Sequence, residues 1–164
     1  MKDNKYKSMA QFMKVVLTLL IIFGGILCCY IIGATIFSEE QTNKDLNFFI
    51  NCFLFIIGGS SLLVILYNLK KILDSVIKVT PFIMNNVICL NRIAKCCFII
   101  SGTYILNLIF NDQYRKLKIV SLNFVGVDIH AEFIMFFFAG CFILVLAQVY
   151  KQAVEVKEEN DFTI

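Results

Sequence analysis

Four long runs without a charged side chain alternate with short charged stretches along this chain, and that alternation predicts its architecture. Residues 15–37 hold no charge over 23 positions, and residues 46–69 none over 24. As helices rising 1.5 Å per residue they reach about 35 Å, enough to cross roughly 30 Å of hydrocarbon. A signal-peptide core is shorter, about 7–15 residues, so the first run reads as an uncleaved span. Residues 96–111 form a third run of 16 positions, which spans if Arg92 and Lys95 snorkel to the interface. Residues 133–150 supply a fourth, of 18. The expectation is a single all-α integral membrane domain over residues 1–164, with spans at about 15–37, 46–69, 94–111 and 132–150.

The charged stretches differ in kind. Residues 38–45 (SEEQTNKD) form a short polar turn. Residues 70–95 mix charges with helical apolar spacing. Ile72, Leu73, Val76 and Ile77 keep one face apolar while Lys70, Lys71, Asp74 and Lys78 take the other. This predicts that the second helix runs on past the membrane to about residue 79. Thr80-Pro81 fits an N-cap followed by proline at the first helical position, so a helical hairpin turns there. Phe82 is expected to tuck against Ile77 or Leu73, and Ile93 against Leu66 or Leu69. Within residues 111–130, LKIVSLNFVGVDI alternates in part and is rich in Val and Ile, which is compatible with a short β-hairpin between helices 3 and 4. The tail, residues 151–164, continues helical to about Asn160, with Val149, Ala153 and Val156 on one face and Glu155, Lys157, Glu158 and Glu159 on the rest.

Lysine and arginine set the orientation. The leader, the hairpin and the tail hold eleven, against Lys44, Arg115, Lys116 and Lys118 in the other loops. Both termini are therefore expected in the cytoplasm, with the protein in the plasma membrane and the 111–130 connection outside.

Composition agrees with a bilayer protein: 59% of residues are hydrophobic and only 16% charged, where soluble domains run nearer a quarter charged. A net charge of +3, spread over the loops, argues against direct nucleic-acid binding. Of the seven cysteines, Cys28, Cys29, Cys52, Cys96, Cys97 and Cys141 lie in apolar runs; none has zinc spacing, and they read as small apolar residues.

Small residues recur at matching depth as Gly24-Gly25, Gly58-Gly59 and Ala139-Gly140. They predict a close crossing of the first, second and fourth helices. Asn51 and Asn107, with His130 and Glu132, form a polar layer toward the outer ends. They suit interhelical hydrogen bonds or an outward-facing wet pocket. Asp128, His130 and Glu132 form D-x-H-x-E, which reads as a solvated anchor rather than a metal site. No nucleophile–base set is present and no acid lies within an apolar run, so neither an enzyme nor a proton-coupled exporter is expected. No cofactor is implied.

The stretch TPFIMNNVICLNRIAKCCF resembles the internal motif of an uncharacterised bacterial membrane family, domain of unknown function two-nine-seven-five. The residues that carry the likeness are Pro81, Phe82, Asn86, Leu90, Arg92, Ile93 and Ala94. The ending is similar too, through Leu146, Ala147, Val149, Glu158, Glu159, Asn160, Asp161, Thr163 and Ile164. Gln148, Tyr150 and Val154 stand where an acid, a Phe and a Gly are commoner. The resemblance implies four helices and no established activity. Proteins of that family are often encoded beside a small Cro-repressor-type helix-turn-helix regulator, so the resemblance makes such a regulator an expected partner.

The residues and the resemblance together point to a non-enzymatic membrane protein that docks or modulates a cytoplasmic partner such as that regulator. Its contacts would come from Thr80, Pro81, Phe82, Asn86, Leu90 and Arg92 on the hairpin and from Glu155, Glu158, Glu159 and Asp161 on the tail. An internal cap, in which the hairpin bases pair with the acidic tail, is an equal reading of those residues. The alternative class is a small transporter, channel or lipid-binding protein, motivated by the polar outer layer.

Overall fold

The computed structural model describes residues 2–37, 46–78, 80–110, 121–124 and 127–161. The polar turn at 38–45, the connection at 111–120 and the terminal Thr163 and Ile164 lie outside them. Four helices account for nearly all of the described chain: α1 (Lys2–Phe37), α2 (Leu46–Ile77), α3 (Met84–Phe110) and α4 (Ala131–Asp161). Each is long and apolar enough to cross a membrane. With 27 residues, α3 is the shortest, about 40 Å long. The leader is itself helical, continuous with the first span. Between α3 and α4, strands β1 (Ser121–Phe124) and β2 (Val127–His130) pair antiparallel, with Ser121 opposite His130 and Phe124 opposite Val127.

The helices pack in chain order: α1 on α2, α2 on α3, and α3 on α4. The expected joint crossing of α1, α2 and α4 is not formed among the described residues, where α3 stands between α2 and α4 and α1 makes no extensive seam with α4. The small residues serve three successive pairings instead. A Cβ on Gly24 would lie 3.2 Å from Leu63, and one on Gly59 3.2 Å from Cys28, so both belong to the α1–α2 contact. Gly58 faces Thr103 of α3. Gly140 lies so close to Phe98 and the Ala94 carbonyl that a Cβ would come within 3.1 Å of the ring. Gly25 meets nothing within 4 Å, and Ala139 is half-buried beside Gly140.

A seven-residue beat runs through these contacts. The buried residues of α2 are Leu54, Ser61, Asn68 and Ser75. In α3, Asn86, Ile93 and Ile100 repeat at the same step, alongside Val87, Ala94 and Ser101. Gly140, Ala147 and Val154 do so in α4, and Ala10 and Leu17 in α1. A 3.5-residue period keeps one seam facing its neighbour along a left-handed crossing. The buried seam carries the small and polar residues. Phe23, Phe53, Phe138 and Phe142 point away from the protein, each more than 60% exposed. An apolar skin of that extent on every helix is a lipid-facing surface. The polar members of the α2 seam are satisfied mostly within their own helix: Ser61 Oγ donates to the Ile57 carbonyl at 2.8 Å, and Asn68 Nδ2 to that of Val64 at 2.7 Å.

Candidate functional site

The structure concentrates its polar contacts at the α2–α3 turn. The first of α3's helical residues is Met84, three positions later than the Thr80-Pro81 cap expected from sequence. The Thr80 N–H closes the end of α2 by donating to the Ser75 carbonyl at 3.1 Å. Residues 80–83 then make a separate turn around the Pro81 carbonyl. That oxygen accepts from the Ile83 N–H at 3.0 Å, from Asn86 Nδ2 at 2.6 Å and from the Tyr150 hydroxyl at 2.6 Å. A carbonyl so occupied is not free to start a helix at Pro81, and the Ile83 carbonyl takes the Asn86 N–H instead.

Asn86 is wholly buried. Its Nδ2 also donates to Ser75 Oγ at 2.5 Å, and Ser75 Oγ passes its own proton to the Ile72 carbonyl at 2.7 Å. One amide thus ties α2, the turn and α3 together. Asn86 Oδ1 and Asn68 Oδ1 are buried without a hydrogen-bond partner among the described residues, so both amides are held at a cost in desolvation. From α4, Tyr150 adds a ring stacked on Phe82, with centroids 5.4 Å apart and planes 24° from parallel. Tyr150 is a partner of Phe82 that the sequence reading did not name, and it is there because α4 reaches the turn.

The other proposed contact residues are more open. Thr80 and Arg92 are exposed, Leu90 is half-buried, and Glu155, Glu158 and Glu159 lie on the exposed face of α4. Glu155 pairs with Lys151 at 3.5 Å, and Asp161 ends the helix. Val154 is completely buried, so α4 stays packed one turn beyond Tyr150.

Two concavities open along α2, one beside the turn and one toward the opposite end of the helix. The first, about 510 Å³, opens between the end of α2 and the turn. It is lined by Tyr67, Lys70, Lys71, Asp74, Ser75, Lys78, Thr80, Ile83 and Asn85. Asp74 is engaged by Lys14 of α1 at 2.5 Å. The second, about 360 Å³, lies among α2, α3 and α4, where Asn51, Thr103, Tyr104 and Asn107 join Leu54, Phe55 and Phe136. Asn51 and Asn107 therefore share one groove. His130 closes β2, and Glu132 sits in the first turn of α4. Near them Ser101 Oγ donates to the Phe133 carbonyl at 3.1 Å, fastening α3 to the start of α4.

Sequence comparison matches residues 6–164 to the family described as Protein of unknown function (DUF2975). The chain belongs to that family. The match to DUF2975 extends over α1 as well as over the hairpin motif and the tail. No curated protein and no solved structure matches the chain. Of the residues that tie the turn of this DUF2975 chain together, Pro81, Phe82 and Asn86 stand out in the motif itself. Ser75, Tyr150 and Lys14 do not. Ser75 was legible as the last step of the Leu54, Ser61, Asn68 register in α2.

Proposed function

We propose that this is a non-enzymatic plasma-membrane protein, both termini cytoplasmic, whose braced hairpin and acidic tail dock a cytoplasmic partner. The excess of Lys and Arg in the leader, hairpin and tail supports that orientation, and it leaves the β1–β2 ladder outside the cell. The observation that carries the docking reading is the triple use of the Pro81 carbonyl. It fastens the turn to α4 and so fixes where Arg92 and the carboxylates of Glu155 and Glu158 are presented. A partner with a basic face, such as a helix-turn-helix regulator using its protein-facing side, suits that acidic stretch. No direct contact with nucleic acid is part of this reading. The test is co-purification of a Cro-repressor-type helix-turn-helix regulator co-expressed with the chain. It is expected with the intact chain and not with one ending after Tyr150, a cut that spares the Tyr150–Pro81 bond. Equal recovery would remove the tail from the reading.

The groove holding Asn51 and Asn107 favours a second reading, a small transporter, channel or lipid-binding protein. Replacing both Asn with Leu would abolish uptake or lipid retention on that reading, and would leave partner recovery unchanged on the first.

A further inference from the structure

The groove at the end of α2 carries lysines that docking does not use. Tyr67, Lys71, Asp74 and Lys78 are spaced i, i+4, i+7 and i+11, so they line one stripe of α2. Lys70 stands beside them. Thr80, Ile83 and Asn85, at the turn and the first residues of α3, form the opposite wall. Its one acidic lining residue, Asp74, is already bound to Lys14. Lys70, Lys71 and Lys78 have no ion pair among the described residues, and the first two are half-buried. Three ammonium groups with no ion pair among the described residues, set around a cavity of about 510 Å³, make a site for an anion rather than an apolar molecule. The volume lies within the usual range for small-ligand pockets, about 300–1,000 Å³.

Depth narrows the anion. Lys70 is the first charged residue after the uncharged run 46–69, and Tyr67, an interfacial residue type, is 59% exposed one turn earlier. The groove therefore opens where the hydrocarbon ends and phosphate begins. We infer that it binds a phosphate-bearing anion at headgroup level, with Lys70, Lys71 and Lys78 as its charge partners and Thr80 and Asn85 as neutral hydrogen-bonding groups. Lys14 acts as a positioning residue: by holding Asp74 it keeps that carboxylate from neutralising the lysines.

The experiment uses the full chain in a neutral detergent. Bound lipid is read by native mass spectrometry with phosphatidylglycerol or phosphatidylcholine, and thermal stability is followed with inorganic phosphate added. Phosphatidylglycerol is expected to be retained in preference to phosphatidylcholine, with a loss of roughly fivefold per lysine replaced by glutamine. Lys70→Gln/Lys71→Gln/Lys78→Gln should remove the preference, and the matching arginine variant should keep it. Lys14→Gln should weaken it without touching the lipid directly. If inorganic phosphate alone raises the melting temperature and the glutamine variant abolishes that rise, the occupant is a soluble phosphate ester and the site stands. If phosphate has no effect while phosphatidylglycerol is retained, the occupant is a lipid headgroup. Equal retention of both lipids with no phosphate effect would overturn the inference, as would a well-folded glutamine variant that keeps the wild-type preference. Should the triple variant lose its helical circular dichroism, Lys78→Gln alone, at an exposed position, is read in its place.

Discussion

Tyr150 and Pro81 lie 69 residues apart in the chain, yet the tyrosine hydroxyl donates to the proline carbonyl at 2.6 Å. The bond joins the end of the fourth apolar run to the turn between the second and third helices. Beside it the Tyr150 ring stacks on Phe82, so one side chain contributes a directional and a dispersive contact to the same turn.

Replacing Tyr150 with Phe removes the hydroxyl and keeps the ring. The expected loss is about 0.5–1.5 kcal/mol, the net worth of one hydrogen bond, because Ile83 and Asn86 still serve the carbonyl. Tyr150→Ala should cost at least about 0.5–1.5 kcal/mol more, since the stack is lost and with it the apolar burial of the ring. Thermal unfolding in detergent of the two variants separates the contributions; equal losses would mean that the ring does not stabilise the turn.

Asn86→Ala strips the turn of two hydrogen bonds at a fully buried position. Stability should fall by about 1–3 kcal/mol, since the donors are lost and a void is left. Ser75→Ala should cost less, because the amide keeps its bond to Pro81. Limited proteolysis within residues 78–84 is the direct readout, with faster cleavage expected for Asn86→Ala than for Ser75→Ala.

The glycines should not respond alike. At Gly140 an added Cβ meets the Phe98 ring at 3.1 Å and the Ala94 carbonyl at 3.3 Å, so Gly140→Val should overpack the α3–α4 seam by about 1–3 kcal/mol. Gly25 has nothing within 4 Å, and Gly25→Ala should be neutral or gain about 0.5–1 kcal/mol from helix propensity. Melting temperatures of the pair decide the matter; a loss at Gly25 would place a contact there that the packing order does not contain.

The Lys14–Asp74 pair joins α1 to α2, but its side chains are 40% and 36% exposed. A double-mutant cycle should return a coupling of only about 0.2–1 kcal/mol, shrinking as salt is raised. A larger, salt-independent coupling would mean that lipid headgroups shield the pair from water.

The spans were legible because charge is nearly absent from them, and one Lys is enough to mark an end. The hairpin was legible from Pro81, which cannot sit inside a continuous helix. Its detail was not. The start of α3 moved to Met84 because the side chains of Asn86 in α3 and Tyr150 in α4 claim the Pro81 carbonyl, and no local pattern announces a donor 69 residues away. The packing order was missed for a different reason. In a soluble helix the buried face is the greasy one. Here Phe and Ile cover the lipid side, while the seams carry Ser61, Asn68, Ser75, Gly140 and Ala147. Apolar periodicity is blind when both faces are apolar, and the informative period was that of the small and polar residues. Asn51 and Asn107 were singled out from sequence. That they line one groove follows only from the α2–α3 pairing.

Packing each helix chiefly against the next in the chain has a consequence for biogenesis. Among the described residues every extensive helix interface forms between consecutive spans, so no helix must wait in the lipid for a distant partner. α1 and α2 can associate as soon as the second leaves the translocation machinery, and α3 can join before α4 exists, in step with N-to-C synthesis. The Tyr150–Pro81 bond is then the fastening that ties the last span back to the α2–α3 turn, and its closure marks the arrival of α4 at a turn built two spans earlier.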